Sequence, residues 1–315
     1  MNDTLEIPPE ISEPRRRARL VVFLTRLVKE QPLGLIGGII VLLFLFTGIF
    51  ADWLAPYGVN DIHPRDYLHR PSTKYFLGAD NLGRDIYSRI VFGARISMIV
   101  GLGASALAIL IALLIGVPSG YFGGKFDMVV QRFVDGWICF PPFIIFLFAV
   151  SIVGPGMWQL IIAMGLVQGI GVSRIMRSAV IAIRENMYVE AAAAIGSPTT
   201  KIITRHILPN IMPTIIILFS ATVPGMILGE AALSFLGLGI PPPDPTWGGM
   251  LSGSGRSYMF LSPLMSVWPG LALMIVVYGL NIFGDALRDL LDPRLRGAGG
   301  RYGKSQARSR QKRAS

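Results

Sequence analysis

The residue types that carry most enzyme chemistry are sparse and poorly spaced in this sequence. Its three histidines, His63, His69 and His206, are scattered, and neither HExxH nor GxSxG occurs. The single cysteine, Cys139, leaves no CxxC pair for zinc or redox work. A GxxxxGK[ST] phosphate loop is missing as well, so ATP hydrolysis is not expected of this chain. What the sequence does offer is mechanical. Between Arg184 and Pro213, Ala-rich residues Glu185 to Ile195 read as a helix. Gly196 supplies the residue type that stops a helix in left-handed geometry. Ser197 reads as an N-cap and Pro198 as a first-turn residue of a second helix, Thr199 to Ile207, which carries Lys201, Arg205 and His206. That helix is expected to end at Leu208-Pro209. The spacing predicts a short helix–turn–helix that can pass a push from a soluble partner, or a plain amphipathic surface hairpin. His206 is expected to cap or to face an interface rather than to bind a metal.

Such a hairpin needs something to push on, and the composition says what. Of the 315 residues, 52% are hydrophobic and 15% charged, with a mean hydropathy of +0.56. Soluble domains are about 25% charged. A bilayer core takes about 20 apolar residues as helix. Leu33 to Ala51 is a first span of that kind, expected to stay as an anchor rather than be cleaved, and Ile96 to Val117 is a second. The 38 residues between Asp135 and Arg174 carry no charge, and Gly154-Pro155-Gly156 divides them. They predict a third span near Gly136–Val153 and a fourth near Met157–Ser173. Ile207 to Gly229 and Leu264 to Phe283 complete six.

An even number of spans puts both termini on one side. Of the 29 lysines and arginines, 22 fall in the segments that an inside N-terminus would place in the cytoplasm. The net charge of +10 is therefore read as a topology signal and not as nucleic-acid binding. The expected organisation is a cytoplasmic segment 1–32, a first transmembrane helix 33–54, an outer loop 55–95 and a core 96–284. A basic tail, 285–315, follows, disordered after about 297 and free to touch membrane lipid.

The span centres carry no ionisable residue; Asp52, Asp135, Glu230 and Asp285 are expected at span ends, solvated by water or headgroups. That disfavours an ion-coupled carrier, which keeps charge inside the membrane. Gly34/Gly38, Gly165/Gly169 and Gly225/Gly229 have the spacing of close helix packing, within the chain or between subunits.

Glu190-Ala191-Ala192, then Gly196, then Leu208-Pro209 resemble the EAA loop of ABC-importer permeases. The family's Ile position is His206 here, and Arg205-His206-Ile207-Leu208-Pro209-Asn210 is itself similar to the peptide-importer subgroup. Gly78-Ala79-Asp80, Gly83-Arg84-Asp85 and Gly93-Ala94-Arg95 resemble the block before the second span of dipeptide, oligopeptide and nickel permeases. Glu230 to Gly239, Trp247-Gly248, and Gly284-Asp285 through Leu291-Asp292-Pro293 are similar to the same subgroup, as are Asp127, Arg132 and Asp135 before Pro141. Gln131 stands where Met is common.

The resemblance implies an all-α membrane protein with six transmembrane helices, termini inside, of type I ABC-importer permease architecture with a cytoplasmic coupling helix. It implies a non-catalytic subunit closest to the C-type permease of a dipeptide or oligopeptide importer, in the cytoplasmic membrane of a bacterium. The implied partners are a second permease, two ATP-binding subunits that use ATP and Mg, and an extracytoplasmic substrate-binding protein. No cofactor or metal on this chain is implied. Glu190, Ala191, Ala192, Gly196, Ser197, Thr199, Lys201, Leu208 and Pro209 are implied to serve coupling. Arg84 and Asp85 are expected to pair or fold the outer loop, or else to touch the delivery protein. Peptides, nickel chelates and glutathione-like solutes stay open as substrates, and a stand-alone carrier or channel is the competing class.

Overall fold

The computed structural model describes Thr25 and residues 27–291, almost all of which are helix or short connections. The expectations for most of segment 1–32 and for the basic tail beyond residue 291, its disorder included, lie outside the described residues. Helix α1, Pro32–Ile49, is the first span, begun by a proline at the position where a missing N–H costs nothing. A short α2, Ala51–Leu54, follows. The second span, α3, runs Ile86–Phe122 and starts at Ile86 rather than Ile96. Asp85 sets that start: its Oδ2 accepts from the Ser88 amide at 2.8 Å and the Ser88 hydroxyl at 2.7 Å. The 37 residues of α3 make about 55 Å of helix. That exceeds a bilayer core of about 30 Å, so α3 stands out of the hydrocarbon.

The third span is not the straight helix expected over 136–153. Helices α4, Gly124–Ile138, and α5, Pro142–Val153, meet at 89°. Pro141-Pro142 explains the corner, because prolines remove two N–H donors and bar the preceding residue from helical geometry. With 12 residues, α5 reaches only about 18 Å. Among the described residues five helices are long and apolar enough to cross a membrane, and the bent pair, taken as one span, brings the count to six. Gly154-Pro155-Gly156 makes the turn its composition suggested, and α6, Met157–Arg184, then continues past the expected end at Ser173.

After α6 come α7, Met187–Ala194, and α8, Thr199–Ile202. The expected separate helix Thr199–Ile207 is not found. Ile203–Ile207 form a π turn that joins α8 directly to α9, Leu208–Phe235, giving one unbroken helical span, Thr199–Phe235. Leu208-Pro209 therefore does not end a helix. Pro209 has no N–H for the Arg205 carbonyl and would crowd it in regular α geometry; the wider π turn takes up that misfit. Ser197 is not an N-cap either. Pro198 holds that position in extended conformation, with φ −65° and ψ 145°. Helices α10, Trp247–Ser257, and α11, Leu264–Leu291, close the chain.

Small residues bring the long helices together. A Cβ on Gly169 of α6 would stand 2.7 Å from the Ala108 carbonyl of α3, and one on Gly116 of α3 would stand 2.6 Å from the Ser173 carbonyl of α6. Gly34 and its neighbour Gly37 pack in the same way on α11, against Ala286 and Gly279. Gly225 faces open space, so the third of the three expected pairs packs through Gly229 alone.

Two ionic devices brace the ends. Asp127 of α4 accepts from the Arg177 guanidinium of α6 (Nε at 2.5 Å) and from Ser119 of α3, and Gln131 donates to the same serine at 3.1 Å. On the other side, Asp80 folds the outer loop. Its Oδ1 accepts from the amides of Leu82 and Arg84 at 2.8 and 3.0 Å, and its Oδ2 from Arg84 Nε at 2.7 Å. Gly83 beside it has φ +73°, and a Cβ there would collide with the His63 carbonyl. Trp247 locks this loop side to α3 through its indole N–H, which donates to the Ile90 carbonyl at 3.1 Å.

Glu230 departs from expectation. It is not at a solvated span end but fully buried, because α9 runs on to Phe235 and α10 packs across it. Ser234 Oγ donates to its Oε1 at 2.7 Å, and its Oε2 has no partner among the described residues.

Candidate coupling surface

The residues between α6 and α9 form a bracket whose inner face is apolar and whose outer face is bare. Asn186 closes α6: its side-chain amide nitrogen donates to the carbonyls of Ala182 at 3.0 Å and Ile183 at 2.9 Å, and its backbone N–H donates to the Ile183 carbonyl as well. Helix α7 then starts on backbone bonds alone. It ends in a Schellman turn, with the Ser197 amide on the Ala192 carbonyl at 3.1 Å and the Gly196 amide on the Ala193 carbonyl at 3.0 Å. Gly196 sits at φ +80°, and a Cβ there would meet nothing within 4 Å. Backbone conformation alone, not crowding, requires glycine at this corner.

The inner face is continuous with the core. Val189 and Ala192 of α7, Ile202 of α8, Ile207 of the π turn and Ile211 of α9 are buried in one cluster with Met176 and Val180 of α6. Burial of a valine or isoleucine side chain is worth about 1.5–3 kcal/mol, so Val189, Ile202 and Ile207, with the smaller Ala192, fix the bracket to two spanning helices. A load applied to α7 reaches α6 and α9 through packed side chains. Because α8 and α9 are one helical rod, the load also enters the membrane span end-on.

The structure sorts the sequence-expected residues into two groups. Glu190, Ala191, Gly196 and Lys201 are exposed, and Glu190 makes no ion pair or side-chain hydrogen bond among the described residues. Ala192 is buried and Leu208 half-buried against the same cluster, so they seat the bracket and do not present a surface. Ser197 and Thr199 are half-buried at the corner, and Pro209 is exposed beside the π turn. His206 lies with its ring 6.3 Å from that of Tyr188.

Sequence reasoning missed the apolar part of the outer face. Met187 is 85% exposed and Ile195 82%, flanking the bare Glu190 at the two ends of α7. The large apolar side chains at the two ends of an Ala-rich helix were the signal. It also missed the groove beside α7, a cavity of about 600 Å³. Tyr121 and Phe122 at the end of α3 line it opposite Arg184, Glu190 and Thr199. The Arg184 guanidinium lies 6.0 Å from the Tyr121 ring centre. The aromatic pair at the inner end of the second span was legible but had no assigned neighbour. Among the described residues no cluster of three or more His, Cys, Asp or Glu could hold a metal ion.

An exposed apolar-and-charged surface rigidly tied to spanning helices is a docking geometry, and known proteins share its setting. Residues 108–297 match the family described as binding-protein-dependent transport system inner membrane component. Residues 23–71 match the N-terminal transmembrane domain of oligopeptide transport permease C. A dipeptide transport system permease protein of Alkalihalophilus pseudofirmus is 38% identical over 269 residues, covering 85% of this chain and 88% of the relative. A glutathione transport system permease protein of Pectobacterium atrosepticum is 35% identical over 268 residues, covering 85% and 89%. The fold is similar to one in the inward-facing MetNI methionine ABC transporter, with a TM-score of 0.52 and 18% identity over 65% of this chain and 96% of that one. The chain belongs to the inner-membrane component family of binding-protein-dependent transport systems, as an ABC-importer permease of the oligopeptide-permease C type.

Proposed function

We propose that this permease forms half of the membrane pathway of an ATP-driven importer of dipeptides and short oligopeptides. The single observation that carries the reading is the bracket at Met187–Ile207, bare on its outer face and anchored on its inner face to α6 and α9. Its partners are a second permease, two ATP-binding subunits seated on the bracket and a substrate-binding protein on the outer side. The distribution of lysine and arginine supports both termini inside. ATP and Mg act on the motor subunits, and this chain performs no catalysis. Closure of the motors would carry Glu190, Met187 and Ile195 with it and turn α6 and α9, so that the pathway opens outward; hydrolysis would reset it. Coupling of this kind needs two states that the partner binds with different affinity.

The 38% identity to a dipeptide permease supports the peptide substrate. The glutathione permease at 35% identity supports a second reading, glutathione, which is itself a short peptide derivative. Reconstitution of the complete complex in vesicles tests both. ATP-dependent uptake of labelled Ala-Ala or glutathione is expected only when the ATP-binding subunits are present. Solute movement by this chain alone would overturn the importer reading and restore the stand-alone carrier, and ATP-driven uptake of nickel with peptides refused would overturn the substrate.

A further inference from the structure

A cavity of about 470 Å³ opens between the Asp80–Arg89 block and the segment from Ser234 to Gly253. Its size falls within the roughly 300–1,000 Å³ of small-molecule sites. Four charged residues line it: Asp80, Arg84, Arg89 and Asp244. Asp80 is spent on the loop backbone and on Arg84 Nε, so that its carboxylate is engaged. Arg89 is not so engaged. It is only 7% exposed, yet its Nε lies 3.8 Å from Asp80, too far for a hydrogen bond, and its guanidinium makes one hydrogen bond among the described residues, from Nη1 to the Val59 carbonyl at 3.5 Å. A guanidinium carries five donors in a planar fork, so most of this fork has no hydrogen-bond partner among the described residues while Arg89 lines the cavity. One unmet acceptor borders the same space: Asp244, exposed at the rim, makes no hydrogen bond or ion pair among the described residues.

The geometry points to a zwitterion site: we propose that Arg89 takes the carboxylate of a short peptide and Asp244 its ammonium. A planar fork in a shielded place suits a carboxylate better than any point charge does. Two cations and two anions line the cavity, which favours a neutral zwitterion over a dianion or a free cation. The site rests on the peptide-import reading and deepens it. It gives the permease its own check on peptide ends, separate from that of the delivery protein.

The test uses the whole reconstituted importer with one binding protein throughout, saturated by each peptide. Uptake of Ala-Ala is compared with that of Ala-Ala-amide and of N-acetyl-Ala-Ala. Arg89→Gln is expected to cut Ala-Ala uptake at least tenfold and amide uptake hardly at all, collapsing the ratio between them. Asp244→Asn, on the exposed rim where folding is not at stake, is expected to collapse the ratio of Ala-Ala to its N-acetyl form. The binding protein is constant, so a changed ratio belongs to the permease. Equal losses for both peptides in Arg89→Gln would mean a purely structural arginine and would overturn the site, as would an unchanged N-acetyl ratio in Asp244→Asn should Arg89→Gln fail to assemble. Wild-type complex that hydrolyses ATP but takes up none of the peptides would overturn the peptide reading itself, and the site with it.

Discussion

The two ends of this permease treat charge in opposite ways. In the 55–85 loop, Asp80 is buried and its carboxylate is filled by two backbone amides and the Arg84 guanidinium, which fixes the loop into one shape. At the bracket, Glu190 is exposed and bare, Met187 and Ile195 lie almost wholly in solvent, and the ordering comes from apolar anchors underneath. A satisfied polar network specifies a structure, whereas an unsatisfied face on a rigid seat is free to meet a partner. The comparison teaches that the same residue types are structural at one end and available at the other, and that burial tells them apart.

Breaking the outer network should have the larger effect on the fold. Asp80→Asn removes the buried carboxylate that pairs with the half-buried Arg84, and loss of one partner of a buried pair costs about 3–5 kcal/mol. The expected readout is a strongly lowered yield and melting temperature of the detergent-purified protein. An unchanged melting curve would mean that the outer loop does not depend on this carboxylate. Enlarging Gly169 to Val is next. It forces α3 and α6 apart at a contact that has no room for a Cβ, at about 1–3 kcal/mol, read as a lower melting temperature.

At the bracket, the contrast predicts function lost with stability kept. Glu190→Lys on an exposed, unpaired site should move stability by no more than about 0.5 kcal/mol. It should weaken co-purification with the ATP-binding subunits on the order of tenfold, or about 1.4 kcal/mol. Normal assembly and normal coupling together would remove Glu190 from the docking face.

The smallest effect concerns Asp66. Hydrogen bonds from Lys74 Nζ at 2.7 Å and Tyr75 Oη at 2.8 Å hold its carboxyl below the ordinary 3.8. A depressed carboxylate contributes stability above its unfolded pKa and loses it as pH falls through the folded value. Protection of the loop amides from exchange, taken relative to the intrinsic rate at each pH, should therefore fall below about pH 4, and Asp66→Asn should abolish that pH dependence. Protection in the bracket should stay flat over the same interval.

Local signals were readable in the sequence and long-range ones were not. Gly154-Pro155-Gly156 and Gly196 make their turns because glycine and proline fix backbone geometry within a few residues. The resemblance to the EAA loop located the bracket. The continuity of α8 into α9 was hidden, because a π turn that absorbs Pro209 leaves no composition signal. The bend at Pro141-Pro142 was masked by an apolar run that also suits a straight span. Glu230 looked solvated because its cover, α10, lies further along the chain. Arg89 looked like one more outer-loop cation until the segment around Asp244 was placed beside it.

Gly196 tests the coupling account most directly, since its left-handed corner sets the angle between α7 and α8 while touching nothing. Forcing a side chain into that conformation costs about 1–2 kcal/mol or more for a β-branched residue, which the corner can relieve only by turning. Uptake and ATP hydrolysis should be measured together in reconstituted complexes carrying Gly196→Val. The account predicts assembled complexes that still hydrolyse ATP while uptake falls at least tenfold; unchanged uptake at normal assembly would contradict it.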